Sequence, residues 1–233
     1  MFIINNSIYI AFYIIFNIQI YYLYDILHRI FKQNKMYLQI TPKHKQIYFV
    51  SNLIKGLYLA LFTPLAIYVL YNYFNNNIWN VKLIKLLGGM YSSLDFVSII
   101  KVKKMQLNTQ IHHVIVQILF LISLLFYDFK ANSIAKSVVV YAIFSTFSFL
   151  VNIYLAFRLI LTNKKWVSIL ATISSIIYQG CCTINWLYQC HYILNYNSGI
   201  LFKLMYTLIL FSIITDDIVL IKFLNKNSLL TTK

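Results

Sequence analysis

Seven long apolar runs, separated by short polar connections, occupy residues 8–27, 47–70, 81–100, 111–127, 137–161, 166–187 and 200–224. A hydrocarbon core about 30 Å thick needs roughly 20 apolar residues of helix at about 1.5 Å rise each. Every run meets or approaches that length. In lipid, backbone polar groups must be satisfied inside the segment or in a closed barrel. The pattern therefore predicts an all-α fold, a polytopic transmembrane helical bundle of about seven spans. No basic leader region precedes the first run and no small-residue cleavage site follows it, so it reads as a retained span. Neither a sequence repeat nor a second domain is visible.

Composition sharpens this picture. Of the 233 residues, 61% are hydrophobic and 11% charged, and the mean hydropathy is +0.72, which excludes most soluble architectures. The net charge of +15 would suit nucleic acid if it formed one patch. Instead the basic residues fall in short groups between apolar runs, so no nucleic-acid partner is expected. Cys181, Cys182 and Cys190 lack the paired spacing of a zinc site or a disulfide framework, and no metal is expected.

The basic groups instead order the spans, because Lys and Arg concentrate in short cytoplasmic loops. The first connection carries Arg29, Lys32, Lys35, Lys43 and Lys45, and the third Lys101, Lys103 and Lys104. The fifth has Lys164 and Lys165, with Arg158 just before it, and the tail has Lys226 and Lys233. The second has no charge, the fourth has Asp128 and Lys130, and the sixth has His191 as its one basic group. This alternation predicts an N-terminus outside and a cytoplasmic C-terminus. Lys82, Lys85, Lys136 and Lys203 break it mildly, and their long stems are expected to snorkel.

Ionisable groups inside spans are costly and usually face the bundle interior or a wet cavity. The chain has no Glu and five acidic residues, all Asp; Asp95, Asp216 and Asp217 fall within spans and Asp25 near the end of one. His112 and His113 open the fourth span. By helix rise, Asp95 lies about 7 Å from the cytoplasmic end, the histidines within about 3 Å and Asp216 about 12 Å. Helical spacing extends them into polar stripes: Ser92, Asp95 and Ser98; His113 and Gln117; Ser212 and Asp216. The fifth span adds Ser145, Ser148 and Asn152. These stripes are expected to line one inward-facing cavity, where carboxylates orient histidines for proton transfer or bind a polar lipid headgroup, with interhelical hydrogen bonding as the plainer role for the serines. An ion pair with Lys101 is the structural alternative for Asp95. Of Asp216 and Asp217, which project in two directions, one is expected to face the cavity.

The order of these residues resembles the TLC-domain family, which includes ceramide synthases and translocating-chain-associated proteins. The segment Gly88, Gly89, Met90, Tyr91, Ser92, Ser93, Leu94, Asp95 resembles the family's glycine-to-aspartate helix, and Ile111, His112, His113 its twin histidines. Phe147 to Asn152 resembles the next signature helix, and Thr215, Asp216, Asp217 the aspartate of the last span. The match covers roughly residues 40–226. It implies a six-span TLC-like barrel plus one span: residues 1–39 as the N-terminal span and basic loop, 40–226 as the barrel, and 227–233 as a cytoplasmic tail.

The resemblance further implies His112, His113, Asp95 and Asp216 as catalytic candidates. Ser92, Ser98, Gln117, Ser145, Ser148, Asn152, Ser212 and Asp217 remain the lipid-cavity candidates. The activity implied is acyl transfer to a sphingoid-type amine, with acyl-CoA as co-substrate, no resident cofactor, membrane lipids as partners and an endoplasmic reticulum or related endomembrane location. The alternative is a non-catalytic protein that binds lipid or acts in membrane-lipid composition or trafficking. The chain departs from the family in three ways. Residues 141–161 contain no acidic group, Ser51 is followed by Ile54 and Lys55 where a histidine is usual, and Tyr154 stands where an arginine is expected, with Arg158 one turn on. Five histidines are too few for a di-iron desaturase, and Thr109 stands where an elongase-type box needs its first histidine. The seventh span lacks the mid-span lysine of a retinal protein and the Asn-Pro turn of a receptor.

Overall fold

A computed structural model describes the backbone of residues 2–131, 133–196 and 200–228, and the side chains of these except 2–5 and 202. The described residues form nine helices: α1 (Phe2–Phe31), α2 (Lys35–Leu38), α3 (His44–Asn76), α4 (Val81–Lys101), α5 (Leu107–Leu125), α6 (Ala135–Thr146), α7 (Phe149–Phe157), α8 (Lys164–Asn195) and α9 (Ile200–Asn227). Six are long and apolar enough to cross a membrane, or seven where α6 and α7, which pass the same test together as a bent pair, count as one span. The protein is a multi-pass helical membrane bundle.

The abundant asparagines punctuate the helices. The side-chain oxygens of Asn34, Asn80 and Asn163 accept hydrogen bonds from the first-turn amides of α2, α4 and α8, satisfying donors that a helix start leaves free. Asn77 closes α3 in the left-handed region at φ 52°, a conformation that asparagine tolerates better than most residues.

The fifth span bends by 41° where α6 meets α7, with neither Pro nor Gly between residues 137 and 161. Hydroxyls supply the cause. Ser145 Oγ donates to the Tyr141 carbonyl at 3.0 Å and Thr146 Oγ1 to that of Ile143 at 2.7 Å. The amides of Phe147 and Ser148 then bond three residues back, at 3.2 and 3.1 Å. Such back-bonding and tightening bend a helix without proline.

Packing joins α3 to α4, α4 to α5, α5 to α9, α9 to α8, α8 to α6 and α7, and these to α3. The contacts close a ring of α3, α4, α5, α9, α8 and the α6–α7 pair. Helix α1 lies outside it, against α4, α3 and α5. Leu57, Leu61, Leu65 and Tyr68 of α3, and Leu201, Leu204, Leu208 and Phe211 of α9, are exposed at helical spacing, as outward faces in lipid require.

Polar ties stitch α1 to the ring. Tyr24 Oη donates to Ser51 Oγ at 2.8 Å, Tyr13 Oη to Gln117 Oε1 at 2.7 Å, and Lys101 Nζ to Asp25 Oδ1 at 2.8 Å. Lys85, expected to snorkel, is instead buried: its ammonium bonds Asn6 Oδ1 at 2.8 Å and the Asp128 carboxylate. A partner already waits at that depth, on the 126–134 connection. Burial alone would raise the Asp128 carboxyl, but the bonds from Lys85 and Asn6 outweigh it and hold the group below the usual carboxylate range.

Helices α3 and α7 pack together where Gly56 meets Ile153. A Cβ at Gly56 would lie 2.8 Å from Ile153 Cγ1 and 3.2 Å from its amide nitrogen, so the missing side chain is what lets the backbones approach. Gly56→Ala is therefore expected to lower stability by about 1–3 kcal/mol through overpacking, despite alanine's better helix propensity. Gly180→Ala, where nothing lies within 4 Å, should gain up to about 1 kcal/mol. Melting both variants in the same detergent checks the opposite signs.

Candidate functional site

The close α3–α7 crossing sets Lys55 and Asn152, neighbours of Gly56 and Ile153, on the wall of a polar cavity of about 740 Å³. Its lining reaches His44, Gln106, Arg158 and Asn227, so it opens at the bundle end that carries the basic connections. Asp95, His112, His113 and Asp216 all line it. Their depths match because α5 begins at Leu107, four residues before the apolar run. Each histidine thus lies about 8–9 Å inside its helix, level with Asp95 at about 9 Å from Lys101.

The four residues form two unequal groups. In the inner one, Lys55 Nζ donates to Asp95 Oδ1 at 2.7 Å and lies 3.0 Å from His113 Nε2. The side chains of Lys55, Asp95 and His113 are 11%, 9% and 8% exposed, so the ion pair is largely shielded although it forms part of the cavity wall. An ammonium offers only donors, so Nε2 is the accepting nitrogen and the ring proton sits on Nδ1. That nitrogen lies 3.1 Å from Asp95 Oδ1, but off the line of a hydrogen bond. Lys55, not the imidazole, holds the carboxylate. The expected alternative partner, Lys101, is committed to Asp25 on α1.

In the outer group, His112 Nδ1 lies 3.5 Å from Asp216 Oδ2, and Thr109 Oγ1 donates to Asp216 Oδ1 at 3.1 Å. His112 Nδ1 has no hydrogen-bond partner among the described residues. His112 and Tyr91 line both the polar cavity and a narrow apolar slot of about 90 Å³ between α3, α4, α5, α6 and α9. The slot runs along roughly 10 Å of helix rise, and its largely apolar lining suits a hydrocarbon chain. Asp95, His112 and His113 also offer ligand atoms within 4.8 Å of one another. The Lys55 ammonium already occupies the cation position against two of them.

The remaining candidates separate. Ser148 and Asn152 line the polar cavity, and Ser92 the apolar slot. Ser98 bonds the Asp95 carbonyl, Gln117 bonds the Ser92 carbonyl and Tyr13, and Ser145 bonds the Tyr141 carbonyl. These three act as helix ties and line neither cavity, nor does half-buried Ser212.

Asp217 turns away from both cavities into a cage of donors. Tyr141 Oη reaches it at 2.5 Å, Tyr178 Oη at 2.7 Å and Trp186 Nε1 at 3.4 Å. Tyr141 lines the slot and Tyr178 the polar cavity, so the carboxylate braces their shared wall. Tyr178→Phe should cost about 1.5–3 kcal/mol, the range for a hydrogen bond to a charged group, read as a lower midpoint of unfolding in mixed micelles.

Two charged wall residues, Lys55 and Arg158, lie deeper than the exposed lysines and were not among the candidates. Lys55 was visible as a charge inside an apolar run but appeared there only as a departure from a family pattern. Arg158 follows α7, with its guanidinium 4.6 Å from the centre of the Phe223 ring and its Nε buried without a partner among the described residues. Comparison with family models, curated proteins and solved structures finds no match for this chain.

Proposed function

We propose that the protein binds a single-chain lipid, its polar part in the 740 Å³ cavity and its tail entering the apolar slot, and transfers an acyl group from acyl-CoA to a sphingoid-type amine. The observation that carries this reading is the meeting of His112 and Asp216 where the polar cavity adjoins the slot. The residue order resembling the TLC-domain family supports it independently. So does the distribution of Lys and Arg, which favours a cytoplasmic cavity mouth, where acyl-CoA is met; the proposed location, an endomembrane of the endoplasmic reticulum type, rests on the resemblance.

His112 is the base in this mechanism, because the Lys55 ammonium already occupies Nε2 of His113. The amine nitrogen attacks the thioester carbonyl carbon while His112 takes its proton, and Asp216 stabilises the imidazolium. The carbon–sulfur bond then breaks, and the thiolate leaves with the proton from His112. The products are an amide and free CoA.

A second reading, lipid binding without turnover, is favoured by the 3.5 Å gap between His112 and Asp216, too long for a hydrogen bond. The deciding assay follows thiol release from long-chain acyl-CoA by purified protein with a long-chain amine. Release above the no-protein rate supports transfer. Retained lipid binding without release supports the second reading, and loss of both sinks the pair.

A further inference from the structure

Four cationic side chains and two carboxylates line the polar cavity: Lys45, Lys55, Lys104 and Arg158 against Asp95 and Asp216. Lys55 is matched by Asp95, and Asp216 by Thr109 and His112. Lys45, Lys104 and Arg158 remain, and among the described residues none of them has a carboxylate within salt-bridge distance. They come from three different places in the fold: the first turn of α3, the connection between α4 and α5, and the end of α7. Each nonetheless faces the same recess.

Arg158 is the anchor of this group. Its guanidinium lies 4.6 Å from the centre of the Phe223 ring and 5.9 Å from that of Tyr154, and its buried Nε has no hydrogen-bond partner among the described residues. A guanidinium fork fits the oxygens of a phosphate with parallel N–H bonds, and two flexible ammonium groups add charge around it. Three positive charges about one recess exceed what a single carboxylate would neutralise.

We infer that Lys45, Lys104 and Arg158 form a phosphate-binding site at the mouth of the polar cavity, taking the phosphate of a membrane phospholipid headgroup or of a free phosphate compound. The inference deepens the proposed function by naming what the cavity's polar part holds. It rests on the charge of the mouth and not on His112, so phosphate binding can succeed where acyl transfer fails.

The test uses the full chain in an uncharged detergent, titrated calorimetrically with lysophosphatidate, with monoacylglycerol and with inorganic pyrophosphate. Lysophosphatidate is expected to bind and monoacylglycerol not to, with affinity falling as salt rises. Pyrophosphate binding as tightly as lysophosphatidate assigns the site to a free phosphate compound, and binding of lysophosphatidate alone assigns it to a lipid headgroup. Arg158→Gln should weaken binding roughly ten-fold or more, and Lys45→Gln with Lys104→Gln should weaken it further. Arg158→Lys should restore it only in part. If the Arg158 variants fail to fold, the exposed pair Lys45→Gln and Lys104→Gln carries the test alone, with Lys82→Gln at the opposite end of α4 as the control that changes nothing. Failure of both phosphate probes to bind overturns the inference, as does lysine-pair or Arg158→Gln protein that folds and binds as tightly as the wild type.

Discussion

Lys55→Met alone is expected to destabilise the protein by about 3–5 kcal/mol, and Lys55→Met with Asp95→Leu to recover most of that loss. The single substitution keeps most of the stem's volume but removes the ammonium 2.7 Å from Asp95 Oδ1. An uncompensated carboxylate is left at a 9% exposed position, and His113 Nδ1, which lies off the line of a hydrogen bond, does not replace the lost donor. The double variant removes both charges, and a buried pair exchanged for packed apolar side chains is often neutral or stabilising. Unfolding midpoints of wild type, both single variants and the double variant in mixed micelles complete the cycle. Additive losses would mean that Lys55 and Asp95 do not depend on each other, which would remove the inner group from the site.

The spans were legible because their signal is local. Twenty apolar residues between basic connections identify a crossing whatever it packs against, and each of the seven runs overlaps a long helix or the bent pair. The break in the fifth span was not legible. It comes from Ser145 and Thr146 bonding carbonyls of their own helix, whereas the sequence displays only hydroxyls that fit a polar stripe equally well. Pairing between helices was hidden for another reason. Lys101 is six residues from Asp95 in the chain, yet the lysine that reaches the carboxylate is forty residues away on α3. Helical spacing tells which residues share a face, not which neighbour that face meets, so Ser98, Gln117 and Ser212 were grouped with a cavity that they do not line. The adjacency of Asp216 and Asp217 did imply that they face different ways. Which one turned inward depended on Tyr141, Tyr178 and Trp186, whose positions only the folded ring supplies.

The same dependence on neighbours divides the histidine pair, which the sequence treats as one feature. His112→Ala is expected to lower acyl transfer roughly 10²–10⁴-fold, the usual contribution of a general base, while the unfolding midpoint stays near that of the wild type. Its Nδ1 has no hydrogen-bond partner among the described residues, so the truncation removes little that holds the bundle together. His113→Ala should do the reverse. Its Nε2 accepts from the Lys55 ammonium, and losing that acceptor leaves a buried donor less satisfied, at about 1–3 kcal/mol, with a smaller fall in transfer per folded molecule. Asp216→Asn should follow His112, lowering the maximal rate more than the apparent substrate affinity, because its charge matters most once the imidazolium has formed. The discriminating measurement is the ratio of rate loss to stability loss across the three variants. Equal rate losses for His112→Ala and His113→Ala at unchanged stability would make the pair act as a unit and refute the assignment of base to His112 and of scaffold to His113. If Asp216→Asn loses affinity while its maximal rate is unchanged, the carboxylate holds substrate and does not support the base.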